Sequence, residues 1–282
     1  MQKKYLYIIS IISILYTSWI ILGVTFTPSY IRISGSTTCL PIVDACAEYY
    51  MEKNDDIDIQ VSGGGSSVGM TNVGEGIVNI GMMSREPKDE ELKKYPDLKF
   101  YYIAMDAICV IVNKRNNLDD IEKDDLEEIF QGEIEEWNEL TGSNLNGEIV
   151  SLGRDSNSGT RKTFEAEIGI NDPDYDEELD SNGAIVKEVS GNENAIGYVG
   201  YGYTEEDEGI KAIGIDGKIP NEKNVHSEEY KLSRYLIVLV KGEPSGHVKK
   251  FITFIRSDKG QEIVKSEGFF KLPEDYKDPE FY

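Results

Sequence analysis

Histidine and cysteine are scarce in this chain of 282 residues: two His and three Cys leave no ligand set for a structural zinc and no framework of disulfides. Positive charge is short as well. Lys and Arg number 29 against 52 Asp and Glu, a formal charge of −23, so the basic footprint of a nucleic-acid binder is missing. No G-x-x-x-x-G-K-[ST] occurs, and the dinucleotide fingerprint fails at Val68, where its last glycine would fall. Nucleotide binding therefore has no support, and no cofactor or metal is expected. What remains is a folding composition, 39% hydrophobic with 17 Tyr. At roughly 100 to 200 residues per domain, the length fits one large domain or two lobes.

Charge vanishes altogether over 27 consecutive residues from Tyr5 to Ile31, behind Lys3 and Lys4. A bilayer-crossing helix needs about 20 apolar residues, and the two lysines predict a cytoplasmic N-terminus with the remainder outside. Residues 1–28 read as an uncleaved membrane anchor. A cleaved signal segment is the competing reading, although the small residues Thr25 and Thr27 are followed by Pro28. In both cases the rest works outside the cytoplasm, tethered to the outer face of the membrane or secreted. Cys39 and Cys46 are seven residues apart on an expected helix, roughly 10 Å by helical rise, beyond the reach of a disulfide at about 7 Å. Cys109 falls in the apolar run Ala107–Val112. All three read as structural thiols.

Short β-branched runs alternate with amphipathic ones. Strands are expected at Tyr30–Ser34, Ile57–Val61, Asn79–Met82, Tyr101–Ile103, Ile108–Val112, Ile149–Leu152 and Tyr235–Val240. Helices are expected at Pro41–Asn54, Ser66–Glu75, Asp125–Phe130, Thr160–Glu167, His247–Arg256 and Gln261–Ser266. This rhythm predicts an α/β fold with a mostly parallel sheet. Residues 119–139 carry eleven Asp or Glu and one Lys without EF-hand spacing, which reads as a solvated face.

Three Ser/Thr/Gly clusters each follow a strand and open a helix: Ser34–Cys39, Gly63–Gly69 and Asp155–Thr160. A helix start leaves about four amide donors unpaired and carries roughly +0.5 charge, so an anion can sit there. Arg154 precedes the third cluster and Arg85 follows the second at a distance. Arginine grips a small oxyanion with a two-pronged fork. A rival chemistry is written in the same residues, because Gly65-Ser66-Ser67-Val68-Gly69 satisfies the G-x-S-x-G elbow of a serine hydrolase with Ser67 as nucleophile. Neither His226 nor His247 sits in a recognisable catalytic signature.

Taken together, Ile33–Thr38, Gly65–Ser67, Ile80–Arg85, Asp106–Ile108, Arg154–Thr160 and Ala195–Val199 resemble the phosphate-binding proteins that feed phosphate ABC transporters. The resemblance implies a two-lobed periplasmic-binding-protein-like fold of type II, with inorganic phosphate in the interlobe cleft and an ABC permease as partner. It implies no catalytic residue. The first lobe would comprise 29–112 and 232–282, and the second 113–231. The protein is expected to act as a monomer. Carried over by motif, Thr37, Thr38, Cys39, Ser66, Arg154, Ser158, Gly159 and Thr160 would supply hydroxyls, amides and one guanidinium. Where well-studied members carry an acid that reads the phosphate proton, this chain has Arg85, which has only donors. Arg85 is therefore expected to meet the phosphate directly, with an ion pair at the surface as the competing reading. Asp106 is expected to read the proton, with Asp155 second, so that Asp106→Asn would shift preference toward sulfate.

Overall fold

The structure, a computed structural model, describes residues 29–279 apart from 144, 206 and 228. The anchor expected at 1–28 lies outside the described residues. Among those that are described, no helix is long and apolar enough to cross a membrane.

Strand β1 (Ser29–Gly35) buries Ile31 and Ile33 and pairs in parallel with β2 (Ile57–Gly64) and β3 (Ile80–Met83). Helix α1 (Leu40–Glu52) takes Pro41 in its first turn, where a missing N–H costs nothing, and turns Ile42, Val43, Cys46, Ala47 and Tyr50 inward. Helix α2 (Ser66–Gly74) and the short α3 (Asp89–Lys94) follow β2 and β3. A 16-residue strand, β4 (Leu98–Asn113), then crosses the molecule. Beyond it come β5 (Asp120–Ile121), α4 (Lys123–Phe130), β6 (Val150–Arg154), α5 (Gly159–Ile168), β7 (Glu177–Leu179), α6 (Asn182–Gly191), β8 (Ala195–Gly200), β9 (Ile210–Ile215) and α7 (Glu222–His226). The chain returns along β10 (Ser233–Lys241) and ends in α8 (Gly246–Ile255) and α9 (Asp258–Ser266).

The strand order β2-β1-β3-β10-β4-β8-β6-β7 makes β4 the shared element. Its first part pairs with β10 and its second with β8 and β9, all antiparallel. The outer strands are parallel, as the α/β rhythm predicts, and the antiparallel pairs are confined to the neighbours of β4 and β10. The sequence predicts two strands where β4 is one, because Asp106 interrupts the apolar run. That residue is fully buried, and its register partner on β10 is Arg234, which neutralises it.

One core gathers Ile33, Ile42, Ile80 and Phe251, and another gathers Phe130, Trp137, Phe164 and Tyr198. In the second, Phe164 stacks on Tyr198 at 4.0 Å between centroids. All three cysteines are free and buried, in line with the reading of structural thiols.

Candidate anion-binding site

Parallel strands deliver their loops to one edge of a sheet, and here the loops after β1, β2 and β6 open α1, α2 and α5 against one another. The loops of the two lobes touch directly. Ser67 N donates to Asn157 O at 3.1 Å, and Thr38 Oγ1 stands 3.0 Å from Thr160 Oγ1. Glycine is required at this seam. Gly65 has φ 91°, and a β-carbon there would stand 2.6 Å from Asn157 O. A β-carbon on Gly159 would overlap Ser66 Oγ and stand 2.8 Å from Ser84 Oγ.

Thr37, Thr38, Cys39, Ser66, Arg154, Ser158, Gly159 and Thr160 are all buried there. Ser66 Oγ accepts from Ser84 N at 3.0 Å. Ser158 caps α5 by accepting from Arg161 N at 3.1 Å, which leaves its own proton to donate. Arg154, 1% exposed, donates through Nη2 to Thr37 Oγ1 at 3.2 Å and to Asp180 O at 3.0 Å, and through Nε to Leu179 O at 3.2 Å. Its Nη1 is buried with no partner. No carboxylate forms an ion pair with Arg154 among the described residues, and burial pushes its guanidinium below the ordinary arginine range. An uncompensated buried charge costs several kcal/mol, roughly, which a bound anion would remove.

Arg85 and Asp106 lie at the same place, each engaged with a side chain of opposite charge. Arg85 closes a fork on Glu91 at 2.6 and 2.8 Å, and its Nη2 also donates to Ser67 Oγ at 3.2 Å. Asp106 Oδ2 accepts from Arg234 Nε at 3.0 Å and Nη2 at 2.7 Å, and Oδ1 accepts from Tyr201 N at 2.9 Å. Burial pushes the Asp106 carboxyl up while Arg234 pulls it down. These bonds tie Asp106 to Arg234. Asp106→Asn is therefore expected to leave the phosphate-to-sulfate preference unchanged. It should lower stability by about 3 kcal/mol, because Arg234 loses its buried partner. Thermal melts and paired calorimetric titrations check both halves. Asp155, whose Oδ1 accepts from Asn157 N at 2.6 Å, remains the carboxylate next in sequence to Arg154.

The hydrolase alternative finds no support in the placement of the histidines. Ser67 Oγ is bonded by an arginine, which cannot act as a base. His226 Nε2 meets Lys271 O at 2.9 Å, and His247 meets Tyr50 and Asp56.

The family model described as the PBP superfamily domain matches residues 24–259. The phosphate-binding protein PstS of Bacillus subtilis (strain 168) is 35% identical over 245 residues, 86% of this chain and 80% of the relative. The chain belongs to the PstS family of this superfamily. A second PstS, from Staphylococcus aureus (strain USA300), is 31% identical over 255 residues, covering 85% of this chain and 77% of its own. Among solved structures, one from Clostridium perfringens is assigned to a phosphate ABC transporter as its substrate-binding protein and holds bound phosphate. It superposes with a TM-score of 0.82 at 36% identity, over 87% of this chain and all of that one. An ABC-type phosphate transport receptor from Vibrio cholerae gives 0.69 at 28%, over 86% of this chain and all of its own.

Three residues of the site escape the sequence reading. Asn182, fully buried in the first turn of α6, donates to Thr37 Oγ1 and Thr38 Oγ1, both at 3.1 Å, and accepts from Gly200 N at 3.2 Å. Ser84 couples to Ser66. Arg234 reaches Ser84 O at 3.1 Å and Thr38 Oγ1 at 3.4 Å. Ser84 stands beside Arg85 in the motif already quoted, so its signal was present. Asn182 and Arg234 sit in no recognisable cluster.

Proposed function

We propose that this protein captures inorganic phosphate between its two lobes outside the cytoplasm and delivers it to an ABC permease. The observation that carries the reading is Arg154: a buried guanidinium that forms no ion pair among the described residues and has one unpartnered N–H, set among the hydroxyls of Thr37, Thr38, Ser66 and Thr160. A tetrahedral dianion supplies both the missing charge and the missing acceptors. Its relatives' names and the phosphate-bound structure support the same ligand. In this reading Thr37, Thr38, Cys39, Ser66, Arg154, Ser158, Gly159 and Thr160 surround the phosphate through hydroxyls, amides and one fork, while Arg85 and Asp106 brace the wall. The lobes are 29–112 with 232–282, and 113–231, and they close on the ligand. Residues 1–28 tether a monomer to the membrane. In this reading the protein binds and releases phosphate without chemical change, and Ser67 Oγ serves as an acceptor for Arg85.

Isothermal titration with phosphate, arsenate, sulfate and molybdate tests the ligand. Ser66→Ala is expected to weaken phosphate capture by about tenfold, the worth of one hydrogen bond to a charged group. Ser67→Ala should leave it unchanged. An affinity that fell with Ser67 and not with Ser66 would defeat the arrangement.

A further inference from the structure

Beside the enclosed site runs a groove of about 680 Å³, far larger than one phosphate. It is bounded by Arg85, Glu86 and Lys88 on one lobe, by Lys162 and Glu167 on α5 of the other, and by Lys231 and Arg234 where the chain crosses back. Acids outnumber bases 52 to 29 in the whole chain, yet Lys88, Lys162 and Lys231 line the groove against Glu86 and Glu167, while Arg85 and Arg234 beside them are paired with Glu91 and Asp106. The excess is local and spans both lobes. Burial, and after it the charge of Lys88, pushes the Lys162 ammonium below the ordinary lysine range, so these like charges are near enough to act on each other. The inner wall is shared with the anion site, because Arg234 lines the groove and also reaches Thr38 Oγ1 and Ser84 O. Arg85, in the same wall, keeps a buried Nε without a partner.

A chain of charge −23 repels a dianion at long range. A patch of opposite sign at the mouth offsets that repulsion within the roughly 8 Å over which charge acts at physiological salt. We propose that this groove is the entrance, at which Lys88, Lys162 and Lys231 hold the phosphate dianion before it passes Arg85 and Arg234 into the enclosed site. This rests on the phosphate reading above and adds the route and the residues that set the rate.

Stopped-flow association of inorganic phosphate with the parent protein and with the triple variant K88Q/K162Q/K231Q tests it. Association is expected to slow by about tenfold at low ionic strength, with dissociation unchanged. The gap should close in 1 M chloride, where the screening length is about 3 Å. The variant K187Q/K249Q/K250Q removes the same charge outside the groove and should slow association by less than about twofold. Thermal melts verify that both triples fold. If the parent binds phosphate and the two triples slow it equally, or neither does, the entrance is wrong while the site stands. If the parent shows no phosphate signal in calorimetry, the phosphate reading fails and the entrance fails with it.

Discussion

Arg154→Met is expected to abolish useful phosphate binding, with an affinity loss of roughly 100-fold or more, while the ligand-free protein melts within a few degrees of the parent. The two halves have one cause. In the bound state, removing the only partner of a buried charge costs about 3 kcal/mol or more, which is over two decades in affinity. In the free state the guanidinium forms no ion pair among the described residues, and its nearest charge of opposite sign in sequence is Asp155. Its removal relieves desolvation and gives up three bonds to Thr37, Leu179 and Asp180, two contributions of similar size and opposite sign. Melting curves with and without phosphate read both at once. At 1,000 times its dissociation constant, phosphate stabilises the parent by about 4 kcal/mol, and the variant should show almost none of this. A variant that kept the full phosphate-induced rise in melting temperature would remove Arg154 from the centre of the site.

Gly159→Ala is expected to lower affinity by about 10- to 100-fold through geometry alone. Alanine is a better helix former than glycine, so α5 itself does not suffer. The added methyl would overlap Ser66 Oγ on the opposite lobe, and overpacking of this kind costs about 1–3 kcal/mol. The collision lies at the seam between the lobes and not within either core, so ligand-free melting is expected to change less than binding. Combining the change with Ser66→Ala removes the closest of the colliding atoms and leaves Ser84 Oγ at 2.8 Å. The double variant should then bind better than the product of the two single losses, the non-additivity expected of touching residues. Strict additivity would mean that these loops do not meet when phosphate is held.

The residues that were legible in the sequence are those whose signal is local. Three loops could be found because Ser, Thr and Gly cluster where a strand ends and a helix begins, and each of them reaches the site. Arg234 could not be found, since its meaning depends on Asp106, 128 residues away. Asp106 in turn split the reading of β4 into two strands, because a lone acid in an apolar run looks like a break until its partner on β10 is in place. Asn182 opens a helix whose beginning, Asn-Gly-Ala, resembles a turn. The helix holds because Ser181 caps it by accepting from Ala184 N at 3.2 Å and because Ile185, Val186 and Val189 are buried. Arg85 was legible as an isolated charge near the site, but its engagement by Glu91 was not, since side-chain forks leave no trace in spacing.

Cys39 caps α1 within the anion site. A sulfhydryl at a helix start ordinarily ionises easily and becomes a reactive nucleophile, and in that form it would repel the cargo and be vulnerable to oxidants in an extracellular milieu. Burial outweighs the dipole here: the thiol is pushed up to about 12 and gives its proton to Met83 O at 3.2 Å. The protein thus keeps a neutral sulfur beside the candidate anion site in acid and in mildly alkaline surroundings alike, where a thiolate would oppose a bound anion.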